Sequence, residues 1–173
     1  PEFIFIFFPF VLIGFYIVPN SLRASFLMVS SILFYGFSGV EHALVLFASI
    51  CWVHFLTRKP YIVGNRILIW IAISFPATAL IFYKYTGFIL SQFFGDTYQV
   101  KKNFSLFTDI LLPAGISFFT FQLIAYAIDR YRGEIDEPPS ITNLLLYISF
   151  FPQLVAGPIV RFDHISNSLK KLS

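Results

Sequence analysis

Apolar runs alternate with short polar stretches along the first half of the chain. Four such runs cover residues 3–18, 24–37, 43–56 and 67–83. A helix needs about 20 apolar residues to cross the hydrocarbon core of a bilayer. We therefore predict membrane helices at these positions, and the short second run requires little tilt or a locally thinner bilayer.

The stretch from Thr86 to Asp109 has a different pattern, because polar residues are interleaved with phenylalanines. Its polar positions are Gln92, Asp96, Gln99, Lys101, Lys102 and Asn103, and its phenylalanines include Phe88, Phe93, Phe94, Phe104 and Phe107. This mixture is typical of an amphipathic helix and loop that lie along a membrane surface. A solvated connector without a role fits the pattern equally well.

Polar residues recur inside apolar segments between Leu111 and Arg161. Two apolar segments flank the charged sequence DRYR at 129–132, and they contain Gln122 and Gln153. An unpaired polar group in hydrocarbon costs several kcal/mol, so these amides need a partner, a cavity or a function. This part of the chain therefore holds the candidate functional residues.

Basic residues predict an orientation for the helices. If the helices alternate from an outside N-terminus, six basic residues face the cytoplasm and three face outward, in agreement with the positive-inside rule. The six are Arg23, Arg58, Lys59, Arg66, Arg130 and Arg132, and the three are Lys84, Lys101 and Lys102.

The last apolar segment, residues 141–160, is interrupted by Pro152 and by Gly157-Pro158. If it crossed fully, the cations at 161, 170 and 171 would cancel the cytoplasmic excess. If it turned back, they would raise that excess to nine against three. Because the helix breakers supply the turn that the charges favour, we predict a broken or re-entrant helix here.

Composition places the chain in the membrane class. Hydrophobic residues make up 57% of its 173 residues, charged residues 12%, and the mean hydropathy is +0.77, whereas soluble domains carry about 25% charged residues. We predict an all-α, multi-pass transmembrane helical bundle, formed by residues 1–173 as a single membrane domain with room for about five or six spans. The net charge of +3 without a basic face argues against nucleic-acid binding.

Two long ordered strings carry a resemblance to a known family. They are PAGISFFTFQLIAYAIDRYRGEI, which begins at Pro113, and ISFFPQLVAGPIVR, which ends at Arg161. Both resemble the shared core of the membrane-bound O-acyltransferase family, in the bacterial branch that includes the alginate O-acetylation and teichoic-acid D-alanylation proteins. The strings SLRASFLMVSSILFYGFSG and IFYKYTGF extend the resemblance over nearly the whole chain. The chain is thus similar to the N-terminal portion of a larger acyltransferase.

The resemblance implies an activity for the whole enzyme. An acyl group, expected to be acetyl, would pass from a cytoplasmic thioester donor similar to acetyl-CoA to hydroxyls of an extracellular polysaccharide. The resemblance also implies the bacterial cytoplasmic (inner) membrane, contact with membrane lipid and a periplasmic acetyltransferase partner. It implies no bound cofactor, and the sequence shows no set of residues at metal-ligand spacing.

Acyl transfer to a hydroxyl needs a general base, usually histidine, and the chain offers three. His42 follows Glu41 at a predicted outer turn and is expected at the surface, while His54 is expected at the membrane interface, bonded to backbone or water. His164 follows the suspected re-entrant turn and is a candidate for the substrate path. None matches the family's catalytic histidine, which lies in a later apolar helix, so we expect this chain to be incomplete and inactive alone.

Gln122, Tyr126 and Asp129 are spaced by four and three residues, which places them on one face of a helix. The resemblance implies that this polar stripe lines the family's central tunnel. Hydrogen bonds between helices that hold the bundle together explain the stripe equally well. For Asp129 itself, we predict an ion pair with Arg130 or Arg132 at the helix end, at the cytoplasmic interface.

Gln153 and Arg161 bracket the broken segment. Exposed backbone N–H groups at a helix break attract anions, and Arg161 would add a positive charge for a phosphate or carboxylate. A contact with a lipid headgroup explains Arg161 as well. The candidate substrate-binding residues are Gln122, Tyr126, Asp129, Gln153, Arg161 and His164.

A non-enzymatic membrane transporter or channel subunit is the competing class of function. The polar stripe and the broken helix would then serve a permeant solute. Such transporters usually contain two related halves, and the sequence shows no internal repeat.

Overall fold

The regular structure is entirely helical within the residues that this computed structural model describes, which are 6–37, 39–94, 113, 115–150 and 161–162. The α-helices in this part of the chain are Phe8–Ile17 (α1), Arg23–Gly36 (α2), Val40–Thr57 (α3), Arg66–Phe94 (α4), Ile116–Arg132 (α5) and Ile141–Ser149 (α6). The prediction of an all-α fold is therefore confirmed for these residues.

Each of the four N-terminal apolar runs contains a helix, although residues 3–5 of the first run lie outside the described residues. The largest difference from the predicted bounds is at the end of α4. Helix α4 has 29 residues and continues through Thr86 to Phe94, where the sequence predicted the start of a surface segment. No proline follows Pro76 in this helix, and the added residues include the apolar Phe88 and Ile89. The remainder of the predicted surface segment lies outside the described residues.

Two helices of the described chain are long and apolar enough to cross a membrane. They are Val40–Thr57 and the first part of α4, Arg66–Thr86. Large apolar side chains such as Trp70 and Phe93 project outward from α4. In a membrane protein this outer surface faces lipid or further helices, so its exposure does not argue against the fold.

Short connections make α2, α3 and α4 run antiparallel in turn. Helix α5 packs against α3 and α4, and α6 packs against α2 and α3. The core lies between these helices and contains fully buried side chains such as Ile50, Leu123 and Leu144. The polar face of α5 therefore lies inside the bundle and not at its outer surface.

The C-terminal end of α5 lies beside the turn between α3 and α4. The Gly64 N–H donates to the Tyr131 carbonyl at 2.9 Å, and the Arg130 Nε donates to the Thr57 carbonyl at 3.2 Å. We call this end of the bundle the basic end, because it collects most of the described cations. They are Arg58, Lys59, Arg66, Arg130, Arg132 and Arg161, and the antiparallel order of the helices places Arg23 toward the same end.

Gly39 allows the tight connection between α2 and α3. Its φ is +133°, and a Cβ at this position would lie 3.0 Å from His42 Nδ1 and 3.1 Å from Glu41 Oε1. We expect Gly39→Ala to lower the stability of the protein by about 1–3 kcal/mol, because an L-residue is strained in this backbone region. Thermal unfolding in detergent measures the effect. Gly36→Ala is the matched control, since a Cβ there meets nothing within 4 Å. Equal effects of the two substitutions would contradict the explanation.

Candidate functional site

Helix α5 ends in a Schellman motif that fixes the position of the residues after it. Gly133 has φ +73°, its N–H donates to the Arg130 carbonyl at 3.2 Å, and the Glu134 N–H donates to the Asp129 carbonyl at 2.9 Å. Glycine adopts this left-handed conformation without strain. The motif therefore brings the Glu134 side chain close to Asp129 at the end of the helix.

The polar stripe on α5 is buried. Gln122, Tyr126 and Asp129 have exposed fractions of 0%, 1% and 5%. The Gln122 Nε2 donates to the Tyr147 carbonyl of α6 at 3.3 Å, and its Oε1 has no hydrogen-bond partner among the described residues. The stripe therefore faces neighbouring helices, and one buried acceptor remains available within this part of the structure.

Aromatic rings surround the middle of the stripe. The Tyr126 ring meets the Phe162 ring edge-on at 5.7 Å, and Phe162 meets Tyr147 at 5.3 Å. The Tyr126 hydroxyl faces Thr57 of α3 without a hydrogen bond of ordinary geometry. Phe162 therefore packs against α5 and α6 and holds Arg161 beside them.

Arg161 holds two carboxylates at the end of the stripe. Its Nε and Nη2 donate to the two oxygens of Asp129 at 3.2 and 2.8 Å, and Nη2 also contacts the Glu134 carboxylate. The hydrogen bonds to Asp129 and Glu134 raise the pKa of the Arg161 guanidinium, which is therefore cationic. Charge-assisted bidentate contacts of this kind are stronger and more directional than neutral hydrogen bonds.

The predicted ion pair of Asp129 with Arg130 or Arg132 is wrong. The side chains of neighbouring residues on a helix point about 100° apart, so the Arg130 side chain points away from the polar stripe and into the core. Arg132 is exposed and its Nη1 lies 3.7 Å from the Glu134 carboxylate. Asp129 pairs instead with Arg161. The Arg161 guanidinium was expected to bind a phosphate or carboxylate of a ligand, but it already contacts the carboxylates of Asp129 and Glu134.

Arg130 is a buried cation whose described partners are backbone carbonyls. Its exposed fraction is 2%, and no carboxylate of the described residues forms an ion pair with it. Besides the Thr57 carbonyl, it donates to the carbonyls of Ile135 and Asp136, the latter at 3.0 Å. One side chain thereby ties the end of α3 to the loop that carries Glu134.

The structure places only some of the remaining candidates. Gln153, His164 and the helix breakers at Pro152 and 157–158 lie outside the described residues. His54 is half-buried, and its Nδ1 has no hydrogen-bond partner in the described part of the chain.

His42 was expected at the surface, and that prediction is wrong. Its exposed fraction is 2%. Helix α3 begins at Val40, so His42 lies in the first turn, where its ring packs edge-on against Tyr83 of α4 at 6.3 Å. The burial follows from this contact between α3 and α4.

Sequence reasoning missed three residues of the site, namely Glu134, Tyr147 and Phe162. Glu134 had a local signal, because it directly follows the glycine that ends α5. Tyr147 and Phe162 had none, since aromatic residues occur throughout the chain. Within the described ranges, no group of three or more His, Cys, Asp or Glu residues is arranged to hold a metal ion.

Known proteins similar to this chain are bacterial O-acetylases. The chain is 30% identical over 169 residues to the probable alginate O-acetylase AlgI of Pseudomonas putida, covering 94% of the chain and 35% of that protein. It is 32% identical over 203 residues to the peptidoglycan O-acetyltransferase of Helicobacter pylori, covering 98% of the chain and 38% of that protein. The probable alginate O-acetylase AlgI of Azotobacter vinelandii is 28% identical over 191 residues, which cover 99% of the chain and 37% of that protein.

The chain spans about a third of the length of the curated relatives that it matches. No family model matches it, and no solved structure matches it significantly.

Proposed function

The chain belongs to the membrane-bound O-acyltransferase family, and from that premise we propose that it forms the N-terminal portion of a polysaccharide O-acetyltransferase. The whole enzyme passes an acetyl group from a cytoplasmic thioester donor, similar to acetyl-CoA, to hydroxyls of an extracellular polysaccharide. The names of the relatives support O-acetyl transfer, because they specify alginate and peptidoglycan O-acetylation. The activity belongs to the whole protein, and the chain spans about a third of the length of the relatives that it matches.

One observation carries the proposal: a buried polar stripe on α5 ends in the Asp129–Arg161–Glu134 ion cluster. Polar and ionisable groups inside a membrane bundle are costly and mark substrate paths. Gln122 offers a buried acceptor and Tyr126 a buried hydroxyl next to it. We assign Gln122, Tyr126 and Asp129 to the wall of the donor path, and Arg161 to its mouth.

The mouth lies on the cytoplasmic side in this proposal. The basic end contains the cations that the positive-inside rule assigns to the cytoplasm. Asp129, Glu134 and Arg161 meet at that end. A donor from the cytoplasm would therefore reach the ion cluster before it reaches Tyr126 and Gln122, in a multi-pass protein of the bacterial inner membrane.

Residues 141–160 form a re-entrant segment in this proposal. Two contacts at the basic end support it. Helix α6 begins at Ile141, shortly after Asp136, whose carbonyl accepts from Arg130. Arg161 then bonds to Asp129 at the same end. From the position of these two ends we infer that the segment returns to the side from which it started, although residues 151–160 themselves lie outside the described residues. Gln153 belongs to this segment and His164 follows it, so both are assigned to the substrate path.

In our proposal, the general base and the residues that contact the acceptor lie outside residues 1–173. None of the three histidines is assigned as the base, and the segment alone is therefore inactive. The polysaccharide and a periplasmic acetyltransferase partner would act at the end of the bundle opposite the basic end, where α2 ends and α3 begins.

Substitution in the full-length protein tests the function. We expect Gln153→Ala and Arg161→Ala each to reduce the acetyl content of the polymer on the order of tenfold or more, because a donor path that lacks either polar side chain holds the donor less well aligned. The ester content of the isolated polymer and incorporation from a labelled acyl thioester measure the effect, with membrane insertion followed in parallel. Arg132→Ala is the control, since Arg132 is exposed and its ion pair among the described residues is a 3.7 Å contact to Glu134.

The same variants separate the enzyme from a transporter. Unchanged acetylation in both variants, together with loss of solute flux across vesicles, would reject the enzyme and favour the transporter or channel subunit. If the two variants lose polymer acetylation but retain solute flux across vesicles, the result supports the transferase.

A further inference from the structure

The turn between α3 and α4, residues 58–66, carries three cations that no described carboxylate neutralises. We propose that this turn, the basic turn, binds the phosphate of an anionic phospholipid such as phosphatidylglycerol. The three cations are Arg58, Lys59 and Arg66, and all three are exposed. The proposal concerns lipid recognition and does not depend on the reaction that the whole protein catalyses.

The other cations of the basic end are already engaged. Arg130 is buried among carbonyls, and Arg132 and Arg161 form ion pairs with Glu134 and Asp129. Arg23 donates from Nε to the Val18 carbonyl at 3.3 Å. The basic turn is therefore where three exposed cations without a described carboxylate partner lie close together along the chain.

Apolar side chains accompany these cations in the arrangement that a lipid requires. The Lys59 Nζ lies 6.0 Å from the centre of the Phe55 ring and 5.5 Å from that of the Tyr61 ring. The exposed fractions of Phe55 and Tyr61 are 69% and 50%. Aromatic rings of this kind lie at the boundary between headgroups and acyl chains, and a neighbouring ammonium group then meets the phosphate. A free phosphate ion would use the cations but not the rings.

The basic turn is held in place from both sides by α5. Arg130 binds the Thr57 carbonyl just before the turn, and the Gly64 N–H donates to the Tyr131 carbonyl within it. The Asn65 Oδ1 accepts from the N–H groups of Ile67 and Leu68 at 3.1 and 3.2 Å, and so caps α4. Because the backbone of this turn is already ordered, lipid binding loses less conformational entropy, which favours binding.

Competition between two lipids tests the proposal. The detergent-purified full-length protein is mixed with phosphatidylglycerol and phosphatidylcholine of the same acyl chains, and native mass spectrometry gives the ratio of bound lipids. We expect the wild-type protein to prefer phosphatidylglycerol, and Lys59→Gln to lower that preference about fivefold, as expected for one cation at a membrane surface. Lys59→Arg should retain the preference, because it keeps both the charge and the ring contacts.

Arg132→Gln is the matched control, because it removes the same charge from a cation that already has a carboxylate partner. It should leave the lipid ratio unchanged. An equal loss in Arg132→Gln, or no preference in the wild-type protein, would overturn the proposal. Displacement of phosphatidylglycerol by excess inorganic phosphate would also overturn it, because the site would then recognise a free anion. Thermal unfolding of each variant verifies that its fold is intact.

Discussion

Arg130→Met is expected to lower the free energy of unfolding by about 3–5 kcal/mol, because at least two buried carbonyls lose a charged donor and each unsatisfied acceptor costs about 1–3 kcal/mol. These carbonyls belong to Thr57 and Ile135, and Arg130 also bonds to that of Asp136. Methionine keeps much of the side-chain length but donates no hydrogen bond. Thermal unfolding or denaturant titration in detergent measures the loss.

Two further variants make this prediction specific. Arg132→Met removes the same side chain two residues along α5, where 61% of it is exposed, and is expected to change the free energy of unfolding by less than about 1 kcal/mol. Arg130→Lys keeps the charge, but a single ammonium group does not match the forked geometry of the guanidinium. We expect its stability to lie between those of the wild type and Arg130→Met. A stable Arg130→Met variant would show that the carbonyls find other partners.

The second large effect concerns the pairing of Asp129 with Arg161. In the full-length protein, Asp129→Ala is expected to reduce polymer acetylation on the order of tenfold or more, because Arg161 then loses the partner that positions it. The double variant Asp129→Ala/Arg161→Ala should be no worse than either single variant, since residues that act as a unit are not additive. The acetyl content of the polymer is the readout.

Glu134→Gln is the control for this pair. Glu134 contacts the same guanidinium, but its side chain is 41% exposed, whereas that of Asp129 is 8% exposed. Solvent replaces an exposed contact more easily, so we expect a smaller loss of acetylation. If the two single losses multiply in the double variant, Asp129 and Arg161 act independently and the assigned ion cluster is wrong. Equal amounts of inserted protein are verified in each membrane preparation.

The sequence by itself determined the local features of this protein. Continuous apolar runs predicted α1 to α4, because backbone groups in hydrocarbon must be satisfied within a helix. The spacing of Gln122, Tyr126 and Asp129 predicted their common face, because that relation depends only on the helical repeat. The two ordered strings near the end of the chain were sufficient to identify the family.

Only the tertiary structure decided the contacts between distant residues. Asp129 has arginines one and three positions away, yet its partner is Arg161, which is 32 residues further along the chain. The burial of His42 required its packing against Tyr83, and the carbonyls around Arg130 come from the end of α3 and from the loop after α5. Spacing along one helix fixes the direction in which each side chain points. Which other element that side chain contacts depends on how the helices pack. The choice of partner is therefore a property of the assembled bundle.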